Sequence, residues 1–182
     1  MILLGVTGSI AAYKAVEILR LLIKAREDVH VIMTPAAVKF VGPLTFQAIS
    51  GHPVFSDTLD PKAYQMAHLA LVEKATAVLI APATADILSQ LARGGASDLV
   101  SASVLAVPRA SSGKSEVPIF VAPAMHKAMW LHPATQANVK TLKRFGYRFI
   151  GPEKGPLGRA GDKGIGRMSE PAVIVQHVLR AR

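Results

Sequence analysis

The chain has 182 residues, 51% of them hydrophobic, a formal net charge of +9 and no cysteine. That length suits one good core and is short for two domains. The missing thiols exclude disulfides, thiolate–zinc sites and cysteine chemistry, and no apolar run reaches the roughly 18 residues that span a membrane. The opening Met1-Ile2-Leu3-Leu4-Gly5-Val6 lacks a basic region and a cleavage site, so it reads as a first strand and a cytoplasmic location is the default. Between Lys140 and Arg182 lie ten Lys and Arg against three Asp and Glu. They are dispersed and without interleaved aromatics, so an anionic small substrate or acidic peptide is expected as partner, and neither nucleic acid nor a membrane. The apolar content argues mildly for an oligomer.

Ile2 to Val6 is followed by the tight turn Thr7-Gly8-Ser9, then by helical periodicity from Ile10 to Lys24, then by the strand Val29 to Met33. Strand, glycine turn, helix and strand make a right-handed βαβ unit. The Gly8-Ser9 turn sets backbone N–H groups and a hydroxyl at a helix N-terminus, where anions bind; an ordinary N-cap by Ser9 explains it equally. Thr34-Pro35 repeats the pattern after the second strand, and Pro43 to Ser50 reads as a helix closed by Gly51. His68, in the short apolar run Met66 to Leu71, reads by itself as a structural histidine.

Ala77 to Ala81 is the clearest buried strand, ending in Pro82-Ala83-Thr84-Ala85-Asp86 at the head of a helix running to about Arg93. Small residues there let a flat ring approach the backbone. A further helix starts at Asp98, and Arg109 to Glu116 reads as a flexible polar insertion. The strand Pro118 to Ala122 hands over to Pro123-Ala124-Met125-His126-Lys127-Ala128-Met129-Trp130 at its carboxyl end, where open α/β sheets bind ligands. As residue types alone, Met125, Met129 and Trp130 read as core at helical spacing. A helix from Ala134 to Phe145 and a strand from Tyr147 to Ile150 follow. Gly151 to Arg167 holds six Gly and two Pro, irregular in pattern and long for a link, as mobile lids are.

Taken together these motifs resemble the homo-oligomeric flavin-containing cysteine decarboxylases. Gly8-Ser9-Ile10-Ala11-Ala12-Tyr13-Lys14 is similar to the family's N-terminal flavin motif, and Met66-Ala67-His68 to the segment carrying its active-site histidine. Pro82 to Asp86 with Asp98-Leu99-Val100-Ser101 resembles a second flavin motif, Pro123 to Trp130 the substrate motif, and Gly166-Arg167-Met168 with Glu170-Pro171 the close of the substrate flap. The resemblance implies a single α/β domain over residues 1–182, a Rossmann-like (flavodoxin-like) open parallel sheet with helices on both faces, and a mobile substrate flap over residues 151–168. It also implies a homotrimer, extending to a homododecamer, with FMN at the subunit interface. FMN would rest on Gly8, Ser9, Ile10, Thr34, Thr84, Ala85, Asp86, Ile87, Asp98, Ser101 and Ala124; substrate would meet Ala124, Met125, His126, Met129, Trp130, Arg167 and Met168; no metal is implied. His68 would act as the base or proton relay, where an imidazole suits the task. In the family the flavin oxidises the substrate cysteine to a thioaldehyde, the electron sink that lets carbon dioxide leave.

Two departures set the substrate expected from sequence. The family's Asn in the substrate motif is His126, which as a neutral ring offers one donor and one acceptor. Decarboxylases of the coenzyme A pathway carry a flap cysteine that helps reduce the enethiol intermediate, and this chain has none. That absence, with the stand-alone length, leads to the expectation of an FMN-dependent oxidative decarboxylation of a peptide's C-terminal cysteine to an aminoenethiol. The alternative is phosphopantothenoylcysteine decarboxylation in coenzyme A biosynthesis.

Overall fold

Five strands, β1 (Ile2–Val6), β2 (Val29–Met33), β3 (Ala77–Ala83), β4 (Ile119–Pro123) and β5 (Arg148–Phe149), pair in parallel in the order β2-β1-β3-β4-β5. The structure is a computed structural model, and it describes residues 1–57, 68–108, 116–158 and 161–181, with the backbone alone for His68 and Ala70. Residues 109–115 of the insertion expected at 109–116 therefore lie outside the described residues, as do Met66, Ala67 and the side chain of His68.

Every residue of β1, β3 and β4 is buried, as expected of strands covered on both faces. Alternation along β1 sends Ile2, Leu4 and Val6 to one face and Leu3 to the other. On the first face lie α1 (Ala12–Lys24), α3 (Pro43–Ser50) and the last helix, α9 (Pro171–Arg180), contributing Leu22, Phe46 and Ile174. Between α1 and α3 the short α2 (Pro35–Val38) follows β2 directly. The second face is covered by α5 (Ala85–Arg93), α6 (Leu99–Leu105) and α8 (Pro133–Arg144) through Leu88, Val104 and Leu142. Two shorter helices, α4 (His68–Glu73) and α7 (Lys127–Leu131), precede β3 and α8. Among the described residues no helix is long and apolar enough to cross a membrane.

Two local expectations change. Helix α1 starts at Ala12, after Ile10, which is 60% exposed and supplies no core contact. The described residues between 151 and 167 are more regular than their glycine content suggests: β6 (Glu153–Pro156) and β7 (Lys163–Arg167) form an antiparallel hairpin. Its glycines permit close backbone approach where an irregular segment was expected. Gly166 has φ of 137°, and a Cβ there would stand 2.1 Å from the Met125 carbonyl oxygen.

Candidate functional site

The strand order reverses direction between β1 and β3, and the site opens at the carboxyl ends of those strands. A ladder of hydrogen bonds continues past the sheet and joins these ends. Thr34 N–H donates to the Val6 carbonyl (3.0 Å), and Ala124 N–H donates to that of Ala83 (3.0 Å). Between them Thr7, only 1% exposed, donates its hydroxyl to the Pro82 carbonyl at 2.7 Å and accepts from Thr84 N–H at 3.2 Å. Gly8 is required by the same closeness, since a Cβ on it would lie 2.5 Å from the Cβ of Ala36. The turns after β1, β2, β3 and β4 are thereby locked into one floor.

Over that floor is a cleft of about 550 Å³. It is lined by Gly8, Ser9, Thr34, Thr84, Ala85, Asp86, Ile87, Asp98 and Ala124, with Thr7, Pro35, Ala36, Met125 and Met129 beside them. Thr34 caps α2 by accepting from Ala37 N–H, and Thr84 caps α5 by accepting from Ile87 N–H. The first turn of α5 leaves other N–H groups without intrahelical partners, at the positive end of the helix. Hydroxyls and N–H groups suit a phosphate, while Ala85, Ala124 and Met125 leave a flat apolar wall for a ring. The residues present therefore fit a flavin mononucleotide.

Two of the residues expected at the cofactor stand elsewhere. Ile10 lines the neighbouring cleft. Ser101 is fully buried behind the wall, where it completes a capping box with Asp98 at the start of α6. Nor is Ser9 the cap of α1: its hydroxyl accepts from Ala11 N–H at 3.2 Å, one turn ahead of the helix.

The neighbouring cleft, about 580 Å³, lies between the Ser9–Lys14 segment and the hairpin. Ala124, Met125, His126, Arg167 and Met168 line it as the motifs imply, joined by Tyr13, Lys14, Leu157 and Glu170. Met129 faces the first cleft instead, and Trp130, 9% exposed, packs in the apolar core of the second face. The hairpin is tied down by Met125 N–H donating to the Gly166 carbonyl at 3.0 Å.

Lys14 and Glu170, which sequence reasoning passed over as site residues, join the expected Arg167 in charging this second cleft. Lys14 Nζ lies 3.1 Å from one carboxylate oxygen of Glu170, and Arg167 meets the other; Arg167 also stands 3.9 Å from Glu153. Arg167 Nε is buried without a hydrogen-bond partner. Thr7 carried no motif signal beyond its place in a turn, since its role depends on a strand 75 residues away. His126 caps α7: its Nδ1 accepts from Ala128 N–H at 3.2 Å. A neutral ring then carries its proton on Nε2, which faces Asp162 of the hairpin turn at 3.6 Å.

The Flavoprotein family profile matches residues 1–182. The chain belongs to that flavoprotein family. It is 48% identical over 174 residues to the coenzyme A biosynthesis bifunctional protein CoaBC of Haemophilus influenzae, covering 95% of this chain and 41% of that protein. It is 42% identical over 180 residues to the probable phosphopantothenoylcysteine decarboxylase of Streptococcus mutans, covering 97% of this chain and 96% of that one. Among solved structures, the FMN-dependent cysteine decarboxylase SpaF matches with a TM-score of 0.78 at 32% identity, over 99% of this chain and 95% of that one. The chain thus spans about two fifths of the bifunctional relative's length.

These relatives overturn the peptide substrate expected from sequence. The relatives at 48% and 42% identity, matched along nearly this whole chain, are a coenzyme A biosynthesis bifunctional protein and a probable phosphopantothenoylcysteine decarboxylase. The expectation leaned on one absent residue type and on where the chain stops. Similarity distributed over the entire fold outweighs both.

Proposed function

We propose that this chain binds FMN in the first cleft and decarboxylates phosphopantothenoylcysteine bound in the second. The observation that carries the reading is the match to the Streptococcus mutans protein over nearly the full length of both chains. When bound, FMN supplies a reversible two-electron acceptor beside the substrate's cysteine, the chemistry that makes carbon dioxide a leaving group.

The chain's own residues bind, orient and enclose. Ala124 and Met125 sit where the two clefts meet, so a ring in one touches substrate in the other. His126 Nε2–H donates to the substrate carboxylate. Lys14 and Arg167, paired with Glu170 and Glu153 before substrate arrives, exchange those carboxylates for the anionic group of a phosphorylated substrate, and the unpartnered Arg167 Nε supports that exchange. Residues 151–168 act as the flap, excluding water once substrate is seated. His68, at the head of α4, moves the proton. Exposed Ile10, Tyr13 and Met129 beside the clefts support a homotrimer that completes the flavin site and assembles into larger cytoplasmic particles.

The test is to incubate the purified, flavin-loaded chain with phosphopantothenoylcysteine and weigh the product. Loss of carbon dioxide alone is expected, giving phosphopantetheine without any cysteine in the flap. Unchanged substrate in the presence of bound flavin overturns the reading.

A further inference from the structure

At the opposite end of the sheet from both clefts, three side chains converge that the decarboxylation does not use. Asp28 stands just before β2, His30 is the second residue of that edge strand, and His52 follows the turn that ends α3. The His52 Nε2 lies 3.0 Å from Asp28 Oδ1, and the His30 Nε2 lies 3.6 Å from the same oxygen. One ligand atom from each residue falls within 4.8 Å of the others, and among the described residues this is the one such group.

We infer that Asp28, His30 and His52 form a binding site for a divalent transition-metal ion of the zinc, cobalt or nickel class. Two imidazoles and a carboxylate suit these borderline ions, whereas calcium and magnesium demand all-oxygen shells. Tetrahedral bonds of the usual lengths separate neighbouring ligand atoms by about 3.3 Å. The two measured separations, 3.0 and 3.6 Å, straddle that spacing.

The backbone carrying each ligand is held independently of any ion. Ile2 N–H donates to the Asp28 carbonyl at 2.7 Å, and His30 is paired in register with Leu3. His52 N–H donates to the Ser50 hydroxyl at 3.1 Å, behind the left-handed Gly51. The two rings stack with centroids 4.0 Å apart and planes 17° apart, which sets both Nε2 atoms on the Asp28 side. Stacked rings aim their lone pairs side by side, so an ion is captured by a tilt of His52. Its side chain is 38% exposed and free to make that movement.

An ion here clips the end of α3 to the edge strand and to the segment entering it. It acts on stability, since the clefts lie at the other end of the strands.

The experiment is calorimetric titration of Zn²⁺ into the full-length chain as purified, repeated with His30→Ala, His52→Ala and the milder His52→Gln. The expected result is one saturable site per chain, weakened at least about tenfold in each variant, because even indirect supports of a metal site commonly account for tenfold or more. Zn²⁺ should raise the melting temperature of the parent chain and leave that of the variants unchanged, while far-ultraviolet dichroism and flavin absorbance stay as in the parent. Absence of saturable binding overturns the proposal. So does binding of undiminished affinity in His52→Gln and His30→Ala, which assigns the ion to other histidines.

Discussion

The two halves of the site are held by different physics. Around the flavin cleft, the strand ends are joined by main-chain bonds and by the buried Thr7, so the floor is an extension of the sheet. Among the described residues the hairpin rests on that floor through the main-chain bond from Met125 to Gly166 and through exposed charged pairs, Asp162 with His126 and Arg167 with Glu170, whose side chains are 31–48% exposed. Exposed ion pairs contribute about 0–1 kcal/mol each. A cradle built from the core opens only when the core does, while a flap of this kind opens locally and at small free energy. On the proposed function, cofactor retention and substrate access then fall to separate structural units.

The largest effect is expected from damage to the cradle. Gly8→Val brings a branched side chain against Ala36, whose Cβ already stands 2.5 Å from where a Cβ on Gly8 would be. Neither turn can retreat without breaking the ladder between strand ends. Overpacking of this kind costs about 1–3 kcal/mol, which corresponds to roughly 5- to 150-fold weaker FMN binding. Fluorescence titration of the apoprotein with FMN measures it. Affinity within about twofold of the parent would break the comparison, because the floor would then yield as easily as the flap.

A smaller and differently placed loss is expected from Gly166→Ala. A Cβ there clashes with the Met125 carbonyl at 2.1 Å, and a φ of 137° is poorly suited to alanine. Because the hairpin is lightly held, it lifts off the floor. Turnover on phosphopantothenoylcysteine should fall about tenfold, a loss typical of lids that no longer close on the reacting group, with FMN affinity unchanged. Parallel loss of FMN would show that the two units are one.

How far these units were legible in sequence follows from the range of the interactions that make them. β1, β2 and β3 are marked by buried apolar runs that end at Gly or Pro, and α1 by its helical repeat. The cradle residues Gly8, Thr34 and Thr84 could be located because each stands directly after a strand. Thr7 could not be singled out, since its bonds reach to Pro82 and Thr84 and no local pattern encodes that distance. The same holds for Lys14, whose partner Glu170 is 156 residues away. The hairpin escaped because its glycines, read locally, signal irregularity, whereas in space they mark where backbone meets backbone. Trp130 is the opposite case: a motif resemblance assigns it to substrate, while in the fold it packs in the core of the second face.

The smallest effect sharpens the boundary between the units, and it lies at His126. This residue belongs to both, capping α7 through Nδ1 and facing the flap's Asp162 through Nε2. An asparagine side chain accepts the same capping hydrogen bond and keeps a donor for a substrate carboxylate. His126→Asn should therefore leave kcat/KM within about threefold of the parent, losing only an exposed pair to Asp162 of the sort that contributes under about 1 kcal/mol. His126→Ala removes cap and donor together; the lost cap alone is about 1 kcal/mol, roughly fivefold if expressed in turnover. Steady-state kinetics on both variants separates the roles. If Asn is as damaging as Ala, the imidazole's contact with the flap matters more than its hold on the helix, and His126 belongs with the flap.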